Sequence, residues 1–215
     1  MTHNYGVYLV TDESLSRERS TIEVVKRAIR GGIDLVQLRE KGTTARERYE
    51  LGIELRNVTA TADVPLLVND RVDLAAAIDA DGVHLGDGDL PIATAREQLG
   101  DGAIIGRSVS TPEAARRAER TGADYLGVGA VFGTDSKETD PEQSNIGLER
   151  VREVREATDL PIVGIGGITP ENAGSVVEIG AHGADVLSAL TTADDPESAT
   201  RRLAAAAAGV SATAR

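Results

Sequence analysis

Short runs of Val, Ile and Leu alternate along the chain with Ala-, Glu- and Arg-rich stretches of helical period, and the pattern returns at intervals of about 27 residues. The apolar runs predict strands at 5–10, 33–38, 65–68, 82–85, 103–107, 124–128, 161–165 and 184–188. Helices are expected over roughly 18–30, 44–60, 71–79, 91–99, 112–121, 147–157, 170–179 and 196–207. Strands that are apolar throughout and separated by helices belong to a parallel sheet covered by those helices. Eight units are the number that closes into a barrel, so the expected fold is α/β, a single (β/α)8 TIM barrel. An open doubly wound sheet is the alternative, but no GxGxxG follows the first strand.

The chain's 215 residues suit one domain, and no low-complexity tract or charge block divides it. Only the tail 209–215, beyond the Ala-rich last helix, is expected to be ragged. The start MTHNYGVYLV reads as a first strand rather than a signal peptide, and no apolar run approaches the ~20 residues needed to cross a bilayer. The expectation is a cytoplasmic protein with no membrane partner. Cysteine is absent, which excludes disulfides, thiolate metal sites and cysteine nucleophiles. A net charge of -12 argues against nonspecific nucleic-acid binding, which needs a positive face. Lysine occurs only at Lys26, Lys41 and Lys137, while Asp, Glu, Arg and Ala are abundant, a composition resembling that of proteins from high salt. A homo-oligomer is compatible with the sequence.

Active sites of such barrels lie at the carboxyl ends of the strands. Strand two ends Val36-Gln37-Leu38-Arg39-Glu40-Lys41, and a period of two puts Gln37, Arg39 and Lys41 on one face with Val36 and Leu38 on the other. An amide, a guanidinium and an ammonium gathered at a barrel mouth suit a phosphate or pyrophosphate. A local ion pair with Glu40 or a neighbouring carboxylate is the alternative. Strand three ends Asn69-Asp70, and the loop after strand four carries Asp87 and Asp89. Oxygen donors on adjacent loops suit Mg²⁺ shared with substrate phosphates, although either Asp could instead cap the following helix. His84, inside a strand, reads best as a hydrogen-bonded core residue.

Ser108, after strand five, is placed to face the pocket. An unusually long stretch, 130–147, joins strand six to helix six and contains Thr134, Ser136 and Lys137, a set suited to closing over an anion. Strand seven runs into Gly166-Gly167-Ile168-Thr169-Pro170, read as a glycine turn and a helix with proline in its first turn. Ser188 is read at the end of strand eight. The loops after strands seven and eight commonly bind phosphate in barrels, so one phosphate is expected there.

Taken in order, Gln37 to Lys41, Val68-Asn69-Asp70, Gly82 to Asp89, Gly106 to Ser108, Asp124 to Gly129 and Pro161 to Ile168 resemble the motifs of the thiamine-phosphate synthase family, over about Tyr5 to Leu190. The resemblance implies a transferase that ionises a pyrimidine pyrophosphate and captures the resulting carbocation with a thiazole nitrogen. It implies that Gln37, Arg39, Lys41 and Asn69 grip the pyrimidine pyrophosphate, with Ser108 at the pyrimidine and Lys137 on the departing pyrophosphate. Asp70 and Asp89 would hold Mg²⁺. Thr134, Ser136, Gly167 and Ser188 would hold the thiazole phosphate. The sequence departs from the family pattern at Gly133, Ser136, Asp87, Asp185 and Arg107. A thiazole tautomerase sharing the barrel, and a noncatalytic phosphate sensor, are the competing readings. The joint presence of Arg39, Lys41, Asn69, Asp70, Asp89 and Lys137 favours the synthase.

Overall fold

The computed structural model describes residues 4–16, 18–133 and 145–211, the last three of these by backbone alone. Eight parallel strands close into a barrel in chain order: β1 (Val7–Val10), β2 (Leu35–Leu38), β3 (Leu66–Asn69), β4 (Gly82–Leu85), β5 (Ile104–Val109), β6 (Tyr125–Gly129), β7 (Ile162–Ile165) and β8 (Gly183–Val186). The last returns beside the first, Asp185 lying opposite Tyr8. The helices are α1 (Thr21–Gly31), α2 (Ala45–Thr61), α3 (Val72–Ala77), α4 (Ile92–Leu99), α5 (Pro112–Arg120), α6 (Gly147–Glu156), α7 (Ala173–Glu178), α8 (Ser188–Thr191) and α9 (Pro196–Ser211).

Local chemistry sets several helix starts. Ser20 accepts the Glu23 amide at the head of α1, Thr44 and Glu47 form a reciprocal capping box on α2, and Thr111 accepts the Ala114 amide with Pro112 opening α5. Val24, Val25 and Ala28 recur on one stripe of α1 and are buried there.

Two apolar layers result. The outer one lies between strands and helices and includes Val36, Leu38, Val68, Val83, Leu85 and Leu126. Tyr8, Val10, Leu35, Leu67, Ile104, Tyr125 and Val163 fill the barrel interior. The alternation expected along β2 is what separates them: Val36 and Leu38 meet helices, while Leu35 and Gln37 point inward, Gln37 opposite Val10 and Leu67.

The last two units differ from the sequence reading. Strand β8 stops at Val186 and Ser188 opens the short helix α8, which buries Leu190 and Thr191. A short run such as Val-Leu-Ser-Ala-Leu satisfies either period, and burial beside α9 decides for helix. Helix α7 starts at Ala173, so Pro170 stands in the preceding turn and not in the first helical turn. Helix α9 continues to Ser211, two residues past the expected start of the tail.

Candidate active site

The cationic end of the site grows out of β2. Gln37 is fully buried and Arg39 is only 7% exposed, whereas Lys41 projects into solvent. Arg39 Nη1 lies 3.3 Å from Asp12 Oδ2, a carboxylate just beyond β1, and its backbone N–H donates to Thr11 Oγ1 at 3.1 Å. Of the ion-pair partners weighed in the sequence, a neighbouring carboxylate, Asp12, is the one that meets Arg39, and Glu40 is not. Strand alternation turns it the other way, where Oε2 accepts the Glu13 amide at 2.8 Å and Oε1 accepts the Thr21 hydroxyl at 2.9 Å. Desolvation raises the Glu40 carboxyl above its ordinary range against these bonds. Glu40 thereby ties the end of β2 to the loop carrying Asp12, and the loop in turn supports Arg39.

Asp70 and Asp89 approach from the next two loops. Asp70 has φ 63, in the left-handed region that few side chains adopt, and its amide donates to the His84 carbonyl at 2.9 Å. Lys41 Nζ is 3.9 Å from its carboxylate. Asp89 Oδ2 accepts the Gly86 amide at 2.6 Å, closing its own loop, while its neighbour Asp87 pairs with Arg107 at 2.7 Å. Neither Asp caps a helix: the cap positions of α3 and α4 are Arg71 and Pro91, without side-chain caps. Among the described residues no three His, Cys, Asp or Glu side chains converge as a complete metal cage. Two carboxylates beside a cationic grip suit Mg²⁺, which keeps waters and takes substrate phosphates as its remaining ligands.

Below the mouth, a line of hydrogen bonds crosses the barrel. Ser108 Oγ is 2.9 Å from His84 Nε2, His84 Nδ1 is 2.7 Å from Tyr125 Oη, and Tyr125 Oη is 2.9 Å from Tyr8 Oη, which accepts the Gln37 amide N–H. The core histidine is therefore hydrogen-bonded at both ring nitrogens. Burial drives both phenols far above the ordinary tyrosine range, and the nearby Asp185 carboxylate adds to the effect. Asn69 lies opposite His84 in the register of β3 on β4.

On the opposite wall the turn after β7 is a left-handed pair of glycines packed against the residues that follow β6. Gly166 and Gly167 have φ of 94° and 64°. A Cβ on Gly167 would stand 2.7 Å from Phe132 Cβ and 2.8 Å from the Gly133 carbonyl. Asn172 holds the turn, its Nδ2 donating to the Gly167 carbonyl at 3.0 Å and its Oδ1 accepting the Thr169 amide at 2.8 Å. Ser188, at the start of α8, supplies a hydroxyl after β8, the location of the usual barrel phosphate site. The two ends of the long β6–α6 connection are pinned here: Phe132 N donates to the Gly166 carbonyl at 3.1 Å, and Ile146 N to the Ala130 carbonyl at 2.9 Å. Thr134, Ser136 and Lys137 lie outside the described residues.

The barrel thus gathers Gln37, Arg39, Lys41, Asn69, Asp70, Asp89 and Ser108 at the ends of β2 to β5, with Gly167 and Ser188 on the β7–β8 side. Sequence reasoning missed Asp12, Tyr8 and Tyr125. Tyr8 and Val10 do alternate inward along β1, and tyrosine numbers only 4, so a signal was present.

A parallel barrel with a cationic pocket, paired carboxylates and a glycine turn backed by a short extra helix defines the class of phosphate-handling (β/α)8 enzymes. The family model for thiamine monophosphate synthase matches residues 7–190. A thiamine-phosphate synthase of Natronomonas pharaonis is 71% identical over 98% of both chains, and that of Haloarcula marismortui is 59% identical over 93% of this chain and 95% of the relative. A thiamine phosphate pyrophosphorylase structure from Pyrococcus furiosus superposes with a TM-score of 0.87 at 41% identity, covering 97% of this chain and 98% of that one. The chain belongs to the thiamine monophosphate synthase family.

Proposed function

We propose that the chain condenses 4-amino-2-methyl-5-hydroxymethylpyrimidine pyrophosphate with hydroxyethylthiazole phosphate, releasing pyrophosphate and thiamine phosphate. The observation that carries this reading is the nearly buried Arg39 guanidinium, aligned with Gln37 and with Lys41, whose ammonium adjoins Asp70, at one barrel mouth. A cation so placed is costly without an anionic ligand, and Asp12 alone answers only part of its fork of donors.

The reaction breaks the bond between the pyrimidine methylene carbon and the pyrophosphate oxygen, whose electron pair leaves with pyrophosphate. The thiazole nitrogen lone pair then forms the new C–N bond. No protein nucleophile is needed, so the residues act by positioning and by stabilising charge. Arg39 and Lys41 grip the pyrophosphate, Gln37, Asn69 and Ser108 orient the pyrimidine, and Gly167 and Ser188 receive the thiazole phosphate. By the family pattern Thr134 and Ser136 join the thiazole side and Lys137 meets the leaving group. Asp70 and Asp89 would hold Mg²⁺, which when bound neutralises charge developing on the departing pyrophosphate.

No helix among the described residues is long and apolar enough to cross a membrane. A cytoplasmic setting suits phosphorylated substrates, and the charge of -12 with scarce lysine suits a saline one. Incubation with both substrates and Mg²⁺, followed by assay of pyrophosphate and thiamine phosphate, tests the reading. Thiazole isomerisation without coupling would instead identify a tautomerase, and binding of thiazole phosphate without turnover a sensor.

A further inference from the structure

Each of the five groups in the line from Gln37 to Ser108 carries one transferable proton or one amide choice, and that restricts how the line can be ordered. Both phenols keep their protons, because burial raises each of them far above the ordinary range. Each phenol therefore donates once. A neutral imidazole also donates once, from one of its two nitrogens. The Gln37 amide presents to Tyr8 either an N–H or a carbonyl oxygen, never both.

The structure places Gln37 Nε2 on Tyr8, and Gln37 Oε1 is buried with no hydrogen-bond partner among the described residues. With Tyr8 Oη accepting from Gln37, its proton goes to Tyr125 Oη. The Tyr125 proton then goes to His84 Nδ1, which leaves the His84 proton on Nε2, donated to Ser108 Oγ. The Ser108 hydroxyl proton is left to donate outward. Turning the Gln37 amide over reverses every step, so that Ser108 donates to His84 and presents lone pairs. In either sense the two ends have opposite character: when Gln37 offers an acceptor, Ser108 offers a donor.

We propose that Gln37, Tyr8, Tyr125, His84 and Ser108 form one directional hydrogen-bond chain, and that Tyr8 and Tyr125 are positioning residues which orient the aminopyrimidine edge through its two ends. The chain rests on the reading of this end of the site as the pyrimidine subsite. An aminopyrimidine carries an amine donor and ring-nitrogen acceptors, the complement of an acceptor at one end of the chain and a donor at the other. In the sense the structure has, Gln37 Oε1 takes the amine proton and the Ser108 hydroxyl donates to the ring nitrogen. The barrel is carved to hold this line: a Cβ at Gly106 would overlap the Tyr125 ring, and one at Gly127 would stand 2.9 Å from His84 Cε1. The Tyr8 and Tyr125 rings also meet edge to face at 6.1 Å, which fixes the angle at which their hydroxyls approach.

The His84 tautomer reports the sense of the chain without requiring turnover. The protein has 3 histidines, so the imidazole nitrogens are readily assigned by ¹⁵N correlation spectroscopy. In the wild type with the pyrimidine alcohol bound, the proton is expected on Nε2. Gln37→Glu presents only acceptors to Tyr8 and is expected to move it to Nδ1, although residue 37 does not touch His84. Tyr8→Phe cuts the chain while leaving the His84 contacts to Tyr125 and Ser108 in place, and is expected to give a mixture of tautomers; it decides the question if Gln37→Glu fails to fold. Tyr8→Phe and Tyr125→Phe should each raise KM for the pyrimidine pyrophosphate about five- to tenfold, the scale of one lost hydrogen bond, with KM for the thiazole phosphate unchanged. One His84 tautomer common to wild type, Gln37→Glu and Tyr8→Phe would overturn the chain. If that same wild-type preparation makes thiamine phosphate, such a result sinks the chain alone. A preparation that makes none sinks the reading of the site, and the positioning role with it.

Discussion

Lys41 Nζ and Asp70 Oδ2 stand 3.9 Å apart, bridging the ends of β2 and β3. The pair is long, and Lys41 is well exposed, so the contact contributes little to stability. Both groups can therefore exchange it for a ligand at small cost, the ammonium for a pyrophosphate oxygen and the carboxylate for a metal ion.

Removing the Asp70 or Asp89 carboxylate should raise the Mg²⁺ concentration for half-maximal synthesis at least about tenfold while leaving KM for the thiazole phosphate near its wild-type value. Asn is the better replacement at Asp70, because at φ 63 an Ala would add backbone strain of its own. Identical Mg²⁺ titrations for wild type, Asp70→Asn and Asp89→Ala would remove both residues from the metal site.

Gly167→Ala is expected to act on stability and on binding together. The left-handed φ and the approach to Phe132 and Gly133 should cost on the order of 1–3 kcal/mol. Because the same turn is proposed to receive the thiazole phosphate, its KM should rise as well. Urea unfolding and steady-state kinetics on the one variant measure both, and an unmoved KM in a destabilised protein would place the phosphate elsewhere.

Lys137→Ala should lower kcat on the order of 10²-fold, the scale for deleting one donor that meets a developing charge, with thiazole-phosphate affinity intact. Lysine occurs only 3 times in the chain, and this one falls in the long stretch between β6 and α6, where the family resemblance implies a contact with the leaving group. Lys137→Arg should recover little, since a planar fork approaches an oxygen differently from a compact ammonium. Wild-type single-turnover rates in the Ala variant would rule out the assignment.

At the opposite end of the barrel, His182 Nδ1 accepts the Ile162 amide at 3.2 Å, and desolvation together with the Arg155 charge lowers its pKa below 6.5. A base with a lowered pKa in the folded state binds fewer protons there than in the unfolded chain. Its contribution is therefore present above pH 6.5 and is lost as pH falls through the lowered value. The ring is partly exposed, so the effect is small. Tm of the wild type should fall from about pH 7 to about pH 5 more steeply than that of His182→Gln, and parallel profiles would show that the imidazole contributes nothing.

The eight strand–helix units, the outward setting of Val36 and Leu38, the inward setting of Gln37 and the family motifs were all legible in the order of residues, because each depends on a period of two or 3.6 within one short segment. The scarcity of lysine and the acidic balance were equally plain. Local pattern was ambiguous only where a run was too short to choose a period, as at Ser188, which opens α8 and does not end a strand.

Tertiary structure alone decided which side chains meet. Arg39 pairs with Asp12 and not with its neighbour Glu40, since alternation sends consecutive residues to opposite faces and barrel closure brings the loop after β1 alongside. Asp70 and Asp89 are released from capping because α3 and α4 begin beyond them. Tyr8 and Tyr125, 117 positions apart in sequence, touch through their hydroxyls only because strands β1 and β6 face one another across a closed interior. Periodicity is a property of one segment, whereas these contacts depend on the stagger of all eight strands, a quantity that exists only once the barrel has closed.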